Sequence, residues 1–317
     1  MGYSSALLGA VNSAATTVWC PMSPMSQDKT CDVLAVNAQR RVTAFRAFTL
    51  IETLVVIGVI ALLLGLLLPT LQAVKKSGER TVEMSAARQL MVAYNAYANV
   101  HNGAVLPGYW QQMEAWDASG DPIEWPPSAR YPWRLAPYLD YNFRGMYTNE
   151  NEELLERLEY EEPGLYQYAV SLFPSLGLNT TWIGGDQNEG GFLPPESQFH
   201  QTFGRFYITK LSEARRPQWL IVFASARGID TFQTLGGGIL EGNFYIRSPY
   251  FTSYRWSDEF DAGDLPAHYG YLSPRYGGSV VSAFLDSHVD MLTKRQLKDM
   301  RYWADQATRP DWVLEPQ

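Results

Sequence analysis

Cysteine is scarce in this 317-residue chain, and its two copies, Cys20 and Cys31, both lie within the first 47 residues. Beyond them no thiol is present, which excludes a disulfide framework and thiol chemistry for residues 48–317. Histidine is nearly as rare, and His101, His200 and His268 have no spacing typical of a metal triad. We therefore expect neither a redox centre nor a site built from several histidines.

Catalytic motifs and an excess of basic charge are missing as well. The chain contains no Gly-x-Ser-x-Gly elbow and no His-Glu-x-x-His helix, and no phosphate-loop lysine follows the glycines 236–238. Of the 25 Lys+Arg and 33 Asp+Glu residues, 21 and 31 lie in residues 48–317, which gives this part a net charge of −10. Because the catalytic motifs are missing, we predict a protein that is not an enzyme. Because nucleic-acid binding needs a basic face, we also predict that it does not bind nucleic acid.

One long apolar run is present. The 16 residues from Thr53 to Leu68 carry no charge. With the residues back to Phe48 they would form a helix about 30 Å long, enough to cross a bilayer. We therefore predict a transmembrane helix over residues 48–69.

The residues before this run have the character of a targeting segment. Arg40, Arg41 and Arg46 lie just before the apolar residues, and the positive-inside rule then keeps this side in the cytoplasm. We set residues 1–47 aside as a leader peptide, so the remainder of the chain is expected on the other side of the membrane.

Glu52 interrupts the apolar character of the predicted span. An ionised carboxylate costs about 2.5–3.5 kcal/mol at the bilayer centre and less near its edge, so Glu52 needs a partner and is a candidate functional residue. The alternative is an uncleaved signal anchor in which the Glu52 side chain reaches the lipid headgroups.

The small residue Ala47, the run Phe48-Thr49-Leu50-Ile51-Glu52 and the apolar residues after it resemble the processing signal of type IV prepilins and type II secretion pseudopilins. The resemblance implies that a prepilin peptidase cuts between Ala47 and Phe48 and that the new amino terminus is N-methylated. Ala47 departs from the glycine that the family usually has before the cut. Pro69 stands where many pilins carry a helix-kinking proline.

Cleavage would leave a cationic amine on Phe48, one helical turn from Glu52. Pairing the Glu52 carboxylate with the Phe48 amine of a neighbouring subunit would neutralise two charges in the lipid, whereas one unpaired partner is strongly destabilising. We therefore expect Phe48 and Glu52 to set the register of one subunit against the next.

Two later segments resemble a planctomycete-type family of pseudopilin-like proteins. Residues 131–139 are similar to an aromatic segment of that family. The family also carries a histidine, nine residues, then Asp-Gly and His-Val, where this chain has Tyr276, nine residues, then Asp-Ser and His-Val at 286–289. Both the histidine and the glycine are replaced, so a role built on that histidine does not carry over.

Hydrophobic spacing predicts one helix from Phe48 to about Val100, amphipathic over residues 70–103. Asn102 and Gly103 tolerate the left-handed conformation and are expected to end it. The predicted apolar stripe consists of Val82, Ala86, Leu90, Ala93, Tyr94, Tyr97 and Val100. The opposite face is predicted to be solvated or, alternatively, to contact a neighbouring subunit, and it consists of Lys75, Lys76, Glu79, Arg80 and Glu83.

We predict a pilin-like α+β fold, in which the long helix packs on the C-terminal antiparallel sheet of a globular head, residues 104–317. Strands are expected at 218–224, 279–286 and 288–292. Helices are expected at 150–162, 166–176 and 294–305. Residues 107–147 are rich in tryptophan and proline, and their rings either pack on the helix stripe, stack on sugars or form a subunit interface.

Two groups of polar residues are candidate metal ligands. The glycine-bounded loop 184–191 offers carboxylate and amide oxygens, which calcium prefers. Alternating polar residues at 286–290 would share one strand face and combine carboxylates with an imidazole. The candidate ligands are Asp186, Asn188 and Glu189 in the loop and Asp286, His288 and Asp290 in the hairpin. An ordinary turn would explain the loop pattern equally well, and a solvated hairpin would explain the second pattern. We expect no cofactor other than calcium.

The sequence leads to two functional hypotheses. The first is a structural subunit of a type II secretion pseudopilus or a type IV pilus-like filament, anchored in the inner membrane by a single pass with its head in the periplasm or otherwise outside the cytoplasm. Its partners would be further copies of itself, other pilin-like subunits, the prepilin peptidase and the inner-membrane assembly platform. The second is a membrane-tethered binding module or adhesin that recognises polysaccharide.

Overall fold

The structure, a computed structural model, describes residues 49–148, 152–231 and 236–317. The predicted leader and the predicted cleavage between Ala47 and Phe48 lie outside the described residues. The chain divides into two compact units, Met1–Gly58 and Val59–Gln317.

A single helix, α1, runs from Leu50 to Val100 and confirms the long helix predicted from the sequence. Within the described residues it is the one helix long and apolar enough to cross a membrane, judged by length and composition. Its side chains are exposed from Leu50 through Val82. One side of the rest of α1 is buried, namely Glu83, Ala86, Ala87, Leu90, Met91, Ala93, Tyr94, Tyr97 and Ala98.

The predicted stripe of α1 is wrong at both ends, because Val82 and Val100 are 57% and 67% exposed. Steps of four residues turn about 40° past one full helical turn, so a long row of such steps rotates away from the core. The end of α1 is as predicted. Asn102 and Gly103 have φ values of 54° and 79°, and the Gly103 NH donates to the Ala98 carbonyl at 2.8 Å.

Six strands form two antiparallel sheets within the described residues. The strands are β1 (Leu176–Leu178), β2 (Ile221–Ser225), β3 (Arg227–Asp230), β4 (Gly238–Glu241), β5 (Ser279–Phe284) and β6 (Val289–Thr293). The larger sheet has the order β1-β2-β5-β6, and β3 pairs with β4 in a separate hairpin. The antiparallel sheet predicted for the α+β head is therefore confirmed.

The remaining helices are short. They are α2 (Tyr131–Leu135), α3 (Glu152–Glu161), α4 (Pro163–Leu172), α5 (Gln198–Phe203) and α6 (Lys294–Leu297). The predicted helix 166–176 is wrong at both ends, because Pro163 opens α4 and residues 176–178 form β1. Proline fits the first turn of a helix, where its missing NH has no intrahelical partner. The predicted helix 294–305 is too long, since α6 ends at Leu297 and only a 3-10 turn follows at Met300–Tyr302.

Strands β1, β2 and β5 of the larger sheet are buried on both faces, whereas the edge strand β6 is partly exposed. One face carries Phe223, whose ring meets Tyr94 of α1 edge-on with centroids 5.9 Å apart. The other face packs against Trp182 and the C-terminal Trp303, both fully buried. Side chains of neighbouring strand residues point to opposite faces, so β5 contributes Val281 to the first core and Val280 to the second.

Candidate assembly site

Thr49 and Glu52 cap each other at the start of α1. The Thr49 NH and hydroxyl donate to Glu52 Oε2 at 2.8 and 2.9 Å, and the Glu52 NH donates to the Thr49 hydroxyl oxygen at 3.3 Å. This is a Thr-x-x-Glu capping box, which satisfies amide groups that a helix leaves unpaired in its first turn. Because unsatisfied backbone groups are costly in lipid, Glu52 has a stabilising role within a single chain.

The two oxygens of the Glu52 carboxylate are used unequally. Both hydrogen bonds from Thr49 go to Oε2, and no described residue donates to Oε1. A carboxylate accepts several hydrogen bonds, so Glu52 can keep its cap and receive a further donor. Phe48, whose amine is the partner expected from the sequence, lies outside the described residues.

The apolar part of α1 after Glu52 is open to solvent on all sides. Exposure of its large side chains ranges from 50% at Val56 and Ile60 to 67% at Leu62. A continuous apolar surface of this kind marks a membrane or protein contact. The helix continues through Pro69, where the missing NH leaves the Gly65 carbonyl without its usual partner. A kink at Pro69 stays a prediction.

A buried ion pair joins α1 to the segment before β5. Arg275 donates to both oxygens of Glu83, from Nη2 to Oε1 at 2.8 Å and from Nε to Oε2 at 3.1 Å. Arg275 also donates to Glu241 at 2.5 Å, and the Tyr276 hydroxyl donates to Glu83 Oε2 at 2.5 Å. Glu83 was predicted on the solvated face of α1. That prediction is wrong, because the residue is fully buried between these donors.

The charges of this cluster stabilise each other. Burial alone lowers the pKa of Arg275, but the Glu83 and Glu241 carboxylates outweigh burial and hold that pKa above its ordinary value. Burial, followed by the charge of Glu83, raises the pKa of Tyr276. Tyr276 therefore stays protonated and acts as a hydrogen-bond donor. It occupies the position where the planctomycete-type pattern has histidine, and here its contact is with Glu83.

The carboxylates of loop 184–191 contact protein donors. Asp186 accepts hydrogen bonds from the Thr180 hydroxyl at 2.7 Å and the Asn188 NH at 2.9 Å, and burial raises its pKa. Glu189 pairs with Arg255 at 2.6 Å and Arg247 at 3.3 Å. Two guanidinium groups on one carboxylate oppose a bound cation.

The second candidate metal group, at 286–290, has a different geometry from the prediction. Asp286 and His288 lie in the turn between β5 and β6, and only Asp290 lies in a strand, so the expected common strand face is wrong. His288 Nδ1 contacts Asp286 Oδ1 at 2.6 Å, and its ring stacks on Phe284 with centroids 4.1 Å apart. Among the described residues, no group of three His, Cys, Asp or Glu side chains could hold a metal ion.

The tryptophans of residues 107–147 divide between core and surface. Trp133 is buried and donates its indole NH to the Gln167 carbonyl at 2.9 Å, and Trp110 stacks on Phe192 with centroids 4.8 Å apart. Trp116 and Trp125 remain 47% and 56% exposed. Packing therefore explains part of this aromatic segment and leaves two rings open to a ligand or partner.

Trp116 borders a cavity of about 390 Å³ beside the end of α1. Its walls include Tyr97 and His101, whose rings stack with centroids 4.0 Å apart. Arg134 lies at its base and donates to the Pro107 and Gly108 carbonyls at 2.6 and 2.5 Å. Burial lowers the pKa of Arg134 to about 10, so the guanidinium keeps its charge at neutral pH.

Two residues of these sites were missed from the sequence. Thr49 had a visible signal, because Thr-x-x-Glu before an apolar run is the pattern of a capping box. Arg275 had none, since it lies 192 positions from Glu83 and its position follows only from the folded sheet.

Three features of the described residues define the candidate sites: the capped and exposed apolar helix, the buried ion pair that joins this helix to the head, and the cavity lined by aromatic rings. No protein-family model, no curated protein and no solved structure matches this chain.

Proposed function

We propose that this chain is a structural subunit of a type II secretion pseudopilus or a type IV pilus-like filament. The observation that supports this most is the exposed apolar surface of α1 from Leu50 to Leu68, which contains one carboxylate, Glu52, in its first turn. The capping box needs only a side-chain oxygen at this position, so an ordinary membrane anchor does not require the charge, whereas a polymer held together by its anchors gains a fixed register from it.

In this proposal the prepilin peptidase cuts between Ala47 and Phe48, and the new amine meets Glu52 of a neighbouring copy. The amine approaches Oε1 while Thr49 holds Oε2, so the capping box orients the carboxylate for its partner. The subunit crosses the inner membrane once, with its head outside the cytoplasm, and an assembly platform in that membrane joins it to other pilin-like subunits.

The mature amino terminus is the first test. We expect mass spectrometry of the protein isolated from membranes to find a chain that begins at Phe48 with an N-methyl group. A mature chain that begins upstream of Ala47 would contradict the proposal, since Glu52 would then have no amine within one helical turn.

Substitution of Glu52 separates the two roles of its carboxylate. Glu52→Gln keeps a side-chain oxygen for the capping box but removes the charge, whereas Glu52→Ala removes both. We expect both variants to insert in the membrane, to be processed and to lose filament assembly, measured by shearing and quantifying surface polymer. Normal assembly of Glu52→Gln beside a defective Glu52→Ala would assign the residue to capping alone.

The cavity bordered by Trp116 favours a second candidate function, a tethered module that binds polysaccharide. Sugar rings present apolar faces to aromatic side chains and hydroxyls to polar ones, and this cavity offers both through Tyr97, Tyr138, Gln112 and Glu114.

Trp116→Ala tests this candidate, with Trp125→Ala as the matched control at an exposed tryptophan that does not line the cavity. Aromatic contacts are worth about 0.5–1.5 kcal/mol, or roughly 2- to 13-fold in affinity. We expect calorimetric titration of the full chain with soluble oligosaccharides to show that loss for Trp116→Ala only. Absence of heat for every oligosaccharide would remove the candidate.

A further inference from the structure

A second, smaller cavity of about 200 Å³ lies between the 3-10 turn Phe143–Met146 and the helices α3 and α4. Four of its ten lining residues are aromatic, namely Tyr141, Phe143, Tyr147 and Tyr166. Rings of this kind present negative faces, and a cage of them binds an ammonium or guanidinium group.

One of the two carboxylates at this cavity has no ion-pair partner among the described residues. Arg144 Nη2 pairs with Glu156 Oε1 at 2.6 Å. Glu159 also lines the cavity, and it forms no ion pair with any described residue. Burial, with a further contribution from the Glu159 charge, raises the pKa of Tyr166 to about 12. The cavity thus combines aromatic walls with one uncompensated negative charge.

The same chain exposes an uncompensated pair of cations. Lys76 and Arg80 lie four residues apart on α1, so their charges face each other on one side of the helix and repel. Both are exposed, and no described acidic residue forms an ion pair with either. Their neighbour Lys75, in contrast, pairs with Glu79 at 3.6 Å. A repelling pair of this kind is relieved by an anionic partner from outside the helix.

A groove leads from α1 to the cavity. It has a volume of about 590 Å³, is lined on one side by Glu79, Val82 and Gln89 of α1, and shares Arg144 and Tyr147 with the smaller cavity. A helix of a second copy laid in this groove would bring its own side chains to the mouth of the aromatic cage.

We propose that the cage formed by Tyr141, Phe143, Tyr147, Tyr166 and Glu159 accepts the Lys76–Arg80 pair of a second copy of this chain. The inference rests on the proposed filament function and adds a contact outside the membrane to the one at Glu52. Different surfaces of the two copies meet in it, and a contact of this heterologous type repeats from copy to copy and builds a helical fibre.

Zero-length cross-linking between amines and carboxylates tests the proposal on full-length chains. Two differently tagged copies are co-expressed, cross-linked in membranes and purified through one tag. We expect a linked peptide pair that joins Lys76 of one copy to Glu159 of the other.

Charge reversal adds a functional readout. We expect Glu159→Lys, and separately Lys76→Glu with Arg80→Glu, to lower the yield of copies that are cross-linked through other residue pairs by about fivefold or more, since each change sets like charges against each other. Links through residues 76 and 159 themselves are left out of this yield, because the substitutions remove the amine or carboxylate that forms them. Combining the reversals should restore the yield. Glu161→Lys, the same change on the same helix outside the cavity, is the control and should leave the yield unchanged.

The outcomes separate this inference from the proposed function. If the mature chain begins at Phe48 and Glu52→Gln abolishes assembly, while Glu159→Lys behaves like Glu161→Lys, only the contact at the cage is overturned. Glu159 linked solely to lysines of other proteins, or lost cross-linking that the combined reversal does not restore, overturns it as well. A Lys76–Glu159 link between copies supports the contact even where the amino terminus contradicts the filament.

Discussion

Glu83 is the residue on which the attachment of α1 to the head depends most. Removal of one partner from a buried pair leaves an uncompensated charge, at a cost of about 3–5 kcal/mol. Because Glu83 is fully buried and Arg275 donates to both of its oxygens, we expect Glu83→Ala to lower the free energy of unfolding by that amount. Urea denaturation of the full chain in detergent, followed by tryptophan fluorescence, measures the loss.

Glu79→Ala is the matched control, one turn earlier on α1. Glu79 is exposed and pairs with Lys75, and an exposed pair of this kind is worth about 0–1 kcal/mol. Equal losses for the two variants would show that the change in helix propensity, and not the ion pair, determines the result.

Tyr276→Phe isolates the hydroxyl of this cluster. Hydrogen bonds to charged groups contribute about 1.5–3 kcal/mol. We expect Tyr276→Phe to cost that much on its own and to cost much less in a chain that already carries Glu83→Ala. A double-mutant cycle in urea measures the coupling, and additive losses would contradict the contact.

The two residues at this cluster that matter most were the hardest to predict. Spacing alone places Glu83 on the solvent side of an amphipathic helix, and its partner Arg275 lies 192 positions away in the sequence. Glu52 was identifiable because its anomaly is local, a charge inside an apolar run. Its capping partner Thr49 has a local signal too, the Thr-x-x-Glu pattern at 49–52.

Elements with strong local signals were predicted well. The hydrophobic patterns that predict α1, β5 and β6 each lie within one continuous segment of the chain. The strand β1 and the hairpin of β3 and β4 were missed, because three or four residues carry too short a pattern and tertiary pairing decides their conformation. Gly238, the last of the three glycines at 236–238, opens β4.

Two glycines of α1 and its cap are expected to respond oppositely to the same substitution. Gly103 has φ of +79°, and an added Cβ would meet no atom within 4 Å. Gly103→Ala should therefore lower the free energy of unfolding only by the penalty for alanine in the left-handed conformation, about 1–2 kcal/mol. Gly78 lies inside α1 with equally open space, and Gly78→Ala should stabilise the helix by up to about 1 kcal/mol. Thermal unfolding followed by circular dichroism measures both signs; a gain at Gly103 would contradict the cap.

For the whole molecule, the apolar span is expected to determine where the protein resides. We expect the full chain to stay in the membrane pellet after an alkaline carbonate wash, and a chain that lacks residues 50–68 to be released. Replacement of Lys75, Lys76 and Arg80 by alanine is the control, because surface charge binds membranes only through salt-sensitive attraction. Release of the full chain by carbonate would contradict a transmembrane role for α1.

The order in which α1 enters the head has a mechanical consequence. Glu83 is the first buried residue of the helix, and its partners Arg275 and Tyr276 lie just before β5, a central strand bonded on both edges. Tension applied to α1 by a growing or retracting fibre would therefore reach the head at this ion pair and pass into β5. There the hydrogen bonds of β5 to β2 on one edge and to β6 on the other hold in place the strand that follows Arg275 and Tyr276.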